Sequence, residues 1–166
     1  YLIFFIPKFA YIKNRLLSFF DTEAGTHNFQ SDKAIESITS GGFFGKGIGE
    51  GILKNRVPEA HTDYIISVIS EEFGVIAIIL ILLLFLVFIY SVFKKVYLQN
   101  EERTKLILVG CASLILVQAM IHIGVNIRLF PTTGMTLPFI SYGGSSIISI
   151  SILSGIILNL TKRKIQ

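Results

Sequence analysis

The amino-acid sequence predicts an all-α integral membrane protein: three transmembrane helices, the tail of a fourth, and a large extracytoplasmic loop carrying an interfacial helix. Two observations carry that prediction. Of the 166 residues, 52% are hydrophobic and 14 are phenylalanine, and the mean hydropathy of +0.68 exceeds what a soluble domain carries. The apolar residues are also gathered into uncharged runs. At about 1.5 Å of rise per helical residue, such runs are long enough to cross a hydrocarbon core of roughly 30 Å.

The elements follow in order. The opening "YLIFFI" is too short to cross and lacks the charged start and small-residue cleavage site of a signal peptide, so residues 1–6 read as the tail of a span that begins upstream. On that reading the chain is the C-terminal part of a larger membrane protein. Residues 7–63 form the extracytoplasmic loop. Within it, "KFAYIKNRLLSFF" sets Phe9, Ile12, Leu16, Phe19 and Phe20 at helical spacing between Lys8, Lys13 and Arg15, which suits a helix lying in the interface or an extension of the preceding span. "SGGFFGKGIGEG" has six glycines in twelve residues but fits neither GxGxxG nor GxxxxGK[ST]. It predicts a tight surface structure with positive φ angles or close backbone approach, not a phosphate loop.

The first complete span, 64–93, contains the charge-free "VIAIILILLLFLVFIYSVF". Residues 94–105, "KKVYLQNEERTK", form a loop, and 106–127 a second span. In 128–144, Pro131 and Pro138 forbid a continuous helix while Gly143 and Gly144 permit sharp turns, predicting a re-entrant loop packed against protein. The last span is 145–160, and "TKRKIQ", 161–166, is the tail. Both short basic segments belong on the cytoplasmic side, and two crossings separate them. The seven Lys and Arg of the long outer loop do not oppose this, because long loops translocate largely regardless of charge. The net charge of +4 therefore reads as membrane orientation, with no nucleic acid as partner. Cys111, alone within a span, supports neither a disulfide nor a metal cluster.

Polar residues crowd the start of the first complete span, in "PEAHTDYIISVISEEFG". Asp63 stands where a helix N-cap belongs, although Thr62 is available for that role. Glu59, His61 and Asp63 alternate in a way that an extended segment could use to hold a divalent ion. Glu71 and Glu72 fall about 12 Å further along the helix, a depth at which ionisable groups face protein or trapped water. Gln118, His122 and Asn126 recur every four residues as one stripe. With the two glutamates they suggest either a hydrated groove able to admit a lipid's polar head or interhelical hydrogen bonding.

Three motifs, "GGFFGKGIG", "VPEAHTDYIISVISEEFG" and "NIRLFPTTGMTLPFISYGGSS", occur in this order between apolar spans. From about Gln30 to Arg163 the chain resembles the SEDS family (shape, elongation, division and sporulation), most closely its division-type members. The resemblance implies about ten spans, of which this chain holds the last three and the tail of the seventh. It also implies a peptidoglycan glycosyltransferase of the bacterial cytoplasmic membrane that polymerises lipid II, the undecaprenyl-pyrophosphate disaccharide-pentapeptide, at the division site. Its partners would be a class B penicillin-binding protein and other division proteins. No cofactor is certain, a divalent cation being the one option. A lipid II transporter and a non-enzymatic division scaffold are the competing function classes.

The family's essential acidic residue lies in its His-Thr-Asp element, here His61, Thr62 and Asp63, so the resemblance assigns catalysis to Asp63. Glycosyl transfer needs the acceptor hydroxyl deprotonated as it attacks, which one positioned carboxylate can do; the pyrophosphate leaves without protonation if cations neutralise it. Glycosidases, by contrast, need a carboxylate pair. Lys46, Lys54, Arg56 and Arg128 could meet the pyrophosphate or anchor lipid headgroups. Glu59 and His61, with Ser141, Gly143 and Gly144 of "SYGG", complete the candidate substrate-binding set. Thr133 stands where the family commonly carries Lys, which removes that cation here.

Overall fold

The structure, a computed structural model, describes residues 27–51 and 60–162. The span tail expected over 1–6 and the interfacial helix expected over 8–20 lie outside them, as do Lys54, Arg56 and Glu59. Among the described residues the protein is helical: α1 His27–Gly41, α2 Ile65–Tyr97, α3 Glu102–Asn126 and α4 Gly144–Thr161. The last three are long and apolar enough to cross a membrane.

Two boundaries move outward from the sequence expectation. α2 continues to Tyr97 and takes Lys94 and Lys95 into its last turn, while α3 opens at Glu102. Cations at a helix C-terminus and an acid at an N-terminus both complement the helix dipole, so helix continues past the apolar runs. The connection 98–101 is correspondingly short. At this end Val92, Leu108, Cys111, Ala112, Ile115 and Ile157 close a buried core between the three spans. Gln99 adds a bond from its side-chain amide to the Leu160 carbonyl at 3.1 Å. One face of α2, including Leu80, Leu83, Leu86 and Val87, is exposed and apolar, as suits a membrane-spanning helix.

Helix α1 is new relative to the sequence reading. Its segment is polar and weakly periodic, so no amphipathic pattern announces it. What it buries is a file of small residues, Ser31, Ala34, Ser37 and Gly41, spaced by three or four. Such a file lets two helices approach closely. Gly41 lies so near α2 that a Cβ there would overlap the Ser70 carbonyl.

α2 is broken at Gly74, whose φ of 78° and ψ of −178° are not helical. A continuous helix would bond Val75 N–H to the Glu71 carbonyl and Ile76 N–H to the Glu72 carbonyl. Instead the glycine-rich loop after α1 enters the gap. Val75 N–H donates to the Gly42 carbonyl at 2.9 Å and Ile76 N–H to that of Phe43 at 3.4 Å. In exchange, the carbonyls of Glu71 and Glu72 accept from Lys46 N–H at 2.9 Å and Gly47 N–H at 3.0 Å. Every backbone group freed by the break thus finds a partner, the condition for interrupting a helix near a membrane. The break divides α2 into a first segment with buried Ile66, Ser67, Val68, Ser70 and Glu71, and a second from Val75 to Tyr97, about 34 Å long at ~1.5 Å per residue, that supplies the crossing.

Candidate functional site

The site expected around Asp63 sits in the turn 60–64 that leads into α2. Three successive carbonyls of this turn are bound, two by the segment before α4 and one by α3. The His61 carbonyl accepts from Tyr142 N–H at 3.1 Å, that of Thr62 from Ser141 Oγ at 2.8 Å, and that of Asp63 from Asn126 Nδ2 at 2.9 Å. Ser141 Oγ in turn accepts from Leu137 N–H at 2.9 Å. Ala60, Tyr64, Val68 and Val125 pack with Ala34 of α1 beneath the turn. The backbone that carries Asp63 is therefore pinned by α3 and by the segment before α4.

The N-cap position of α2 falls on Tyr64, which makes no side-chain cap bond, so the cap expected of Asp63 or Thr62 is not at their positions. The capping acceptor comes from α3. Fully buried Asn126 receives Ser67 N–H on its Oδ1 at 3.3 Å and donates from Nδ2 to the carbonyls of Asp63 and His122. One amide both caps α2 and holds the Asp63 turn.

The segment between α3 and α4, residues 127–143, is non-helical throughout and packs against the spans. Its sharp turns are not at Gly143, whose φ of −173° is extended, nor at Gly144. The positive φ angles are at Arg128, φ 58°, Gly134, φ 74°, and Phe139, φ 66°, because the helix of α4 begins at Gly144 and leaves no turn to make there. A Cβ on Gly134 would lie 3.7 Å from Asp63 Oδ2, so the carboxylate of Asp63 abuts this turn. Beside it opens a recess of ≈ 340 Å³ lined by Gln118, Gly134, Thr136, Gly143, Ser145 and Ser146 among others. Gln118 Nε2 donates to the Thr136 carbonyl at 2.9 Å and to Ser146 Oγ at 3.2 Å, and Thr136 Oγ1 donates to Ser146 Oγ at 2.6 Å. His122 donates from Nδ1 to the Met135 carbonyl at 2.7 Å.

The polar stripe of Gln118, His122 and Asn126 is thus committed to holding the 134–146 segment and the Asp63 turn. Glu71 and Glu72 have other partners. The carboxylate of Glu71 is fully buried, 3.7 Å from Lys46 Nζ and against Gly51; that of Glu72 accepts from Gly49 N–H at 3.2 Å. The single groove expected to join glutamates and stripe is instead two polar contacts, because the glycine-rich loop fills the side of α2 where the glutamates lie. Arg128, a candidate for the pyrophosphate or for lipid headgroups, pairs with Asp32 of α1. Lys46 likewise pairs with Glu71, and Thr133 is exposed. Among the described residues no cluster of three or more His, Cys, Asp or Glu side chains could hold a metal ion.

Asn126, Thr136, Ser146 and Gly134 are the framework residues whose particular tasks the sequence did not reveal. Only the spacing of Asn126 within the stripe hinted at its role.

Fold and site together define an all-α membrane protein in which α3 and the segment before α4 hold the turn that carries Asp63. The chain belongs to the cell cycle protein family of FtsW, RodA and SpoVE, whose profile it matches over residues 1–166. A probable peptidoglycan glycosyltransferase FtsW of Caulobacter vibrioides is 39% identical over 157 residues, covering 94% of this chain and 40% of the relative. Proteins with the same description from Enterococcus hirae and Bacillus subtilis are 38% and 37% identical over 139 residues, covering 83% of this chain and 35% and 34% of theirs. The chain thus spans between about a third and two fifths of the length of these relatives. It also superimposes, at a TM-score of 0.67 and 27% identity, on 42% of a chain in a solved peptidoglycan synthase complex that coordinates polymerization and crosslinking, with 95% of its own length covered.

Proposed function

We propose that this chain carries the catalytic carboxylate of a peptidoglycan glycosyltransferase that polymerises lipid II during cell division, with Asp63 as general base. The observation that carries the reading is the pinned Asp63 turn: the carboxylate abuts Gly134 beside a recess lined in part by serine and threonine, on a backbone held by α3 and by the segment before α4. A base must be fixed to within hydrogen-bond reach of the hydroxyl it deprotonates. The recess gives a sugar hydroxyl somewhere to approach from, and its serine and threonine hydroxyls are chemically suited to a carbohydrate. In the proposed step the acceptor hydroxyl loses its proton to Asp63 as its oxygen bonds to the donor's anomeric carbon. The bond from that carbon to the pyrophosphate breaks, and the lipid pyrophosphate departs with the electron pair.

The descriptions of the relatives support the reaction class, and the synthase complex supports a crosslinking partner, here a class B penicillin-binding protein. Residence in the bacterial cytoplasmic membrane at the division site follows from the same reading. With Arg128 and Lys46 engaged by carboxylates, Lys54 and Arg56 are the better candidates for the pyrophosphate among the cations singled out. Asp63→Asn in the full-length protein tests the assignment. The amide keeps the size but takes no proton, so polymerisation of lipid II should fall by about 10²–10⁴-fold while membrane insertion and partner binding persist. Polymerisation near the wild-type rate would overturn the general-base role. Glycan synthesis restored to the variant by a separate polymerase would favour lipid transport instead.

A further inference from the structure

The glycine-rich loop that fills the α2 break carries apolar side chains that the fold does not bury. Phe43 is 75% exposed, Phe44 83% and Ile48 78%. Loops at a protein surface seldom display three large apolar groups in six residues without an apolar neighbour to cover them. Their height along α2 is set by the backbone: the Gly42 and Phe43 carbonyls bind the amides of Val75 and Ile76, the first residues of the uncharged run that crosses the membrane. Around that point α2 is itself exposed and apolar, at Phe73, Ile76, Ile79 and Leu80. Loop tips and lipid-facing helix therefore lie at one level. The loop's lysine is turned to another task, since Lys46 pairs with buried Glu71, and the exposed acid Glu50 follows the apolar tips.

The geometry points to a membrane-insertion wedge: Phe43, Phe44 and Ile48 enter the interfacial layer of the leaflet on the Asp63 side, and phospholipid acyl chains and glycerol groups cover them. Aromatic and aliphatic side chains on a surface element bury favourably at this boundary. The loop bonds to α2 on both sides of Gly74, so the wedge ties the depth of the break to the lipid surface. Lipid is favoured over a protein partner by continuity, because the tips extend the exposed apolar band of α2, whose length and hydropathy suit a membrane crossing. The inference does not depend on the reaction performed at Asp63.

Site-directed spin labelling of the full-length protein in liposomes of phosphatidylethanolamine and phosphatidylglycerol tests it. In a background with Cys111→Ser and every other cysteine removed, labels are placed singly by Phe44→Cys, Ile48→Cys and Glu50→Cys. Collisions with oxygen should dominate at positions 44 and 48, and collisions with a water-soluble nickel chelate at 50. Phe44→Trp, with brominated lipids as quenchers, repeats the measurement without a label and should lose fluorescence. Nickel-dominated accessibility at 44 and 48, with no bromine quenching, overturns the wedge. Protection there only after a penicillin-binding protein is added assigns the tips to a protein partner and overturns it too. Protection from both collision reagents places them inside the protein, with the same consequence.

Discussion

Gly74→Ala is the substitution for which the break in α2 sets the clearest expectation. The variant can keep the native backbone or straighten it. Keeping it puts an L side chain at a φ of 78°, which costs on the order of 1–3 kcal/mol, and its Cβ would overlap the Phe43 carbonyl. Straightening re-forms the two helical bonds from Val75 to Glu71 and from Ile76 to Glu72, but it expels the loop and forfeits the crossing bonds of Gly42, Phe43, Lys46 and Gly47. The net loss is then two hydrogen bonds at about 0.5–1.5 kcal/mol each. Straightening, the route without the overlap, costs about 2 kcal/mol, so opening of the loop should become about 30-fold more favourable. Amide hydrogen exchange reads this directly: the N–H groups of Lys46 and Gly47 should exchange about 30-fold faster in the variant. Gly110→Ala is the control, since a Cβ there meets nothing within 4 Å; it should leave these amides protected and favour α3 by up to about 1 kcal/mol. Exchange at Lys46 and Gly47 within about threefold of wild type would refute the account of loop and break as one hydrogen-bonded unit.

Other expectations follow from the same framework. Asn126→Leu removes the partner of the Asp63 carbonyl and the cap on Ser67 N–H, and should destabilise the folded protein by about 2–4 kcal/mol, read by denaturation in detergent; an unchanged midpoint would mean that the buried amide is dispensable. The Arg128–Asp32 pair is partly exposed, at 26% and 54%, so a double-mutant cycle should give a coupling of at most about 1 kcal/mol that fades with added salt. A larger, salt-independent value would show that the pair is shielded from water. In the full-length protein, Asp63→Asn should separate chemistry from folding: glycan polymerisation lost, thermal stability retained.

The sequence alone determined that three helices cross the membrane, because hydropathy and length depend only on consecutive residues and on the thickness of a bilayer. Motifs alone indicated the family, which the match over residues 1–166 then showed. The glycine-rich loop was legible in kind, since its composition predicted positive φ and close approach, and Gly42, Gly45, Gly47 and Gly49 have positive φ. Its destination was not. Nothing near Ser40–Gly51 says that it fills a gap at Gly74, because Gly74 immediately precedes the apolar run and one glycine there does not reveal a break in the helix. Helix α1 escaped notice because small polar residues bury by close approach and not by hydrophobic periodicity. The fate of the polar side chains was likewise decided by tertiary structure: Arg128 meets Asp32 across 96 positions, and Asn126 caps Ser67 across 59. Periodicity identifies which face of a helix a group occupies. Only the packing of helices brought together from distant parts of the chain decides which donor meets which acceptor, and hence whether a polar stripe remains an open groove or, as here, becomes the scaffold that holds an acidic turn.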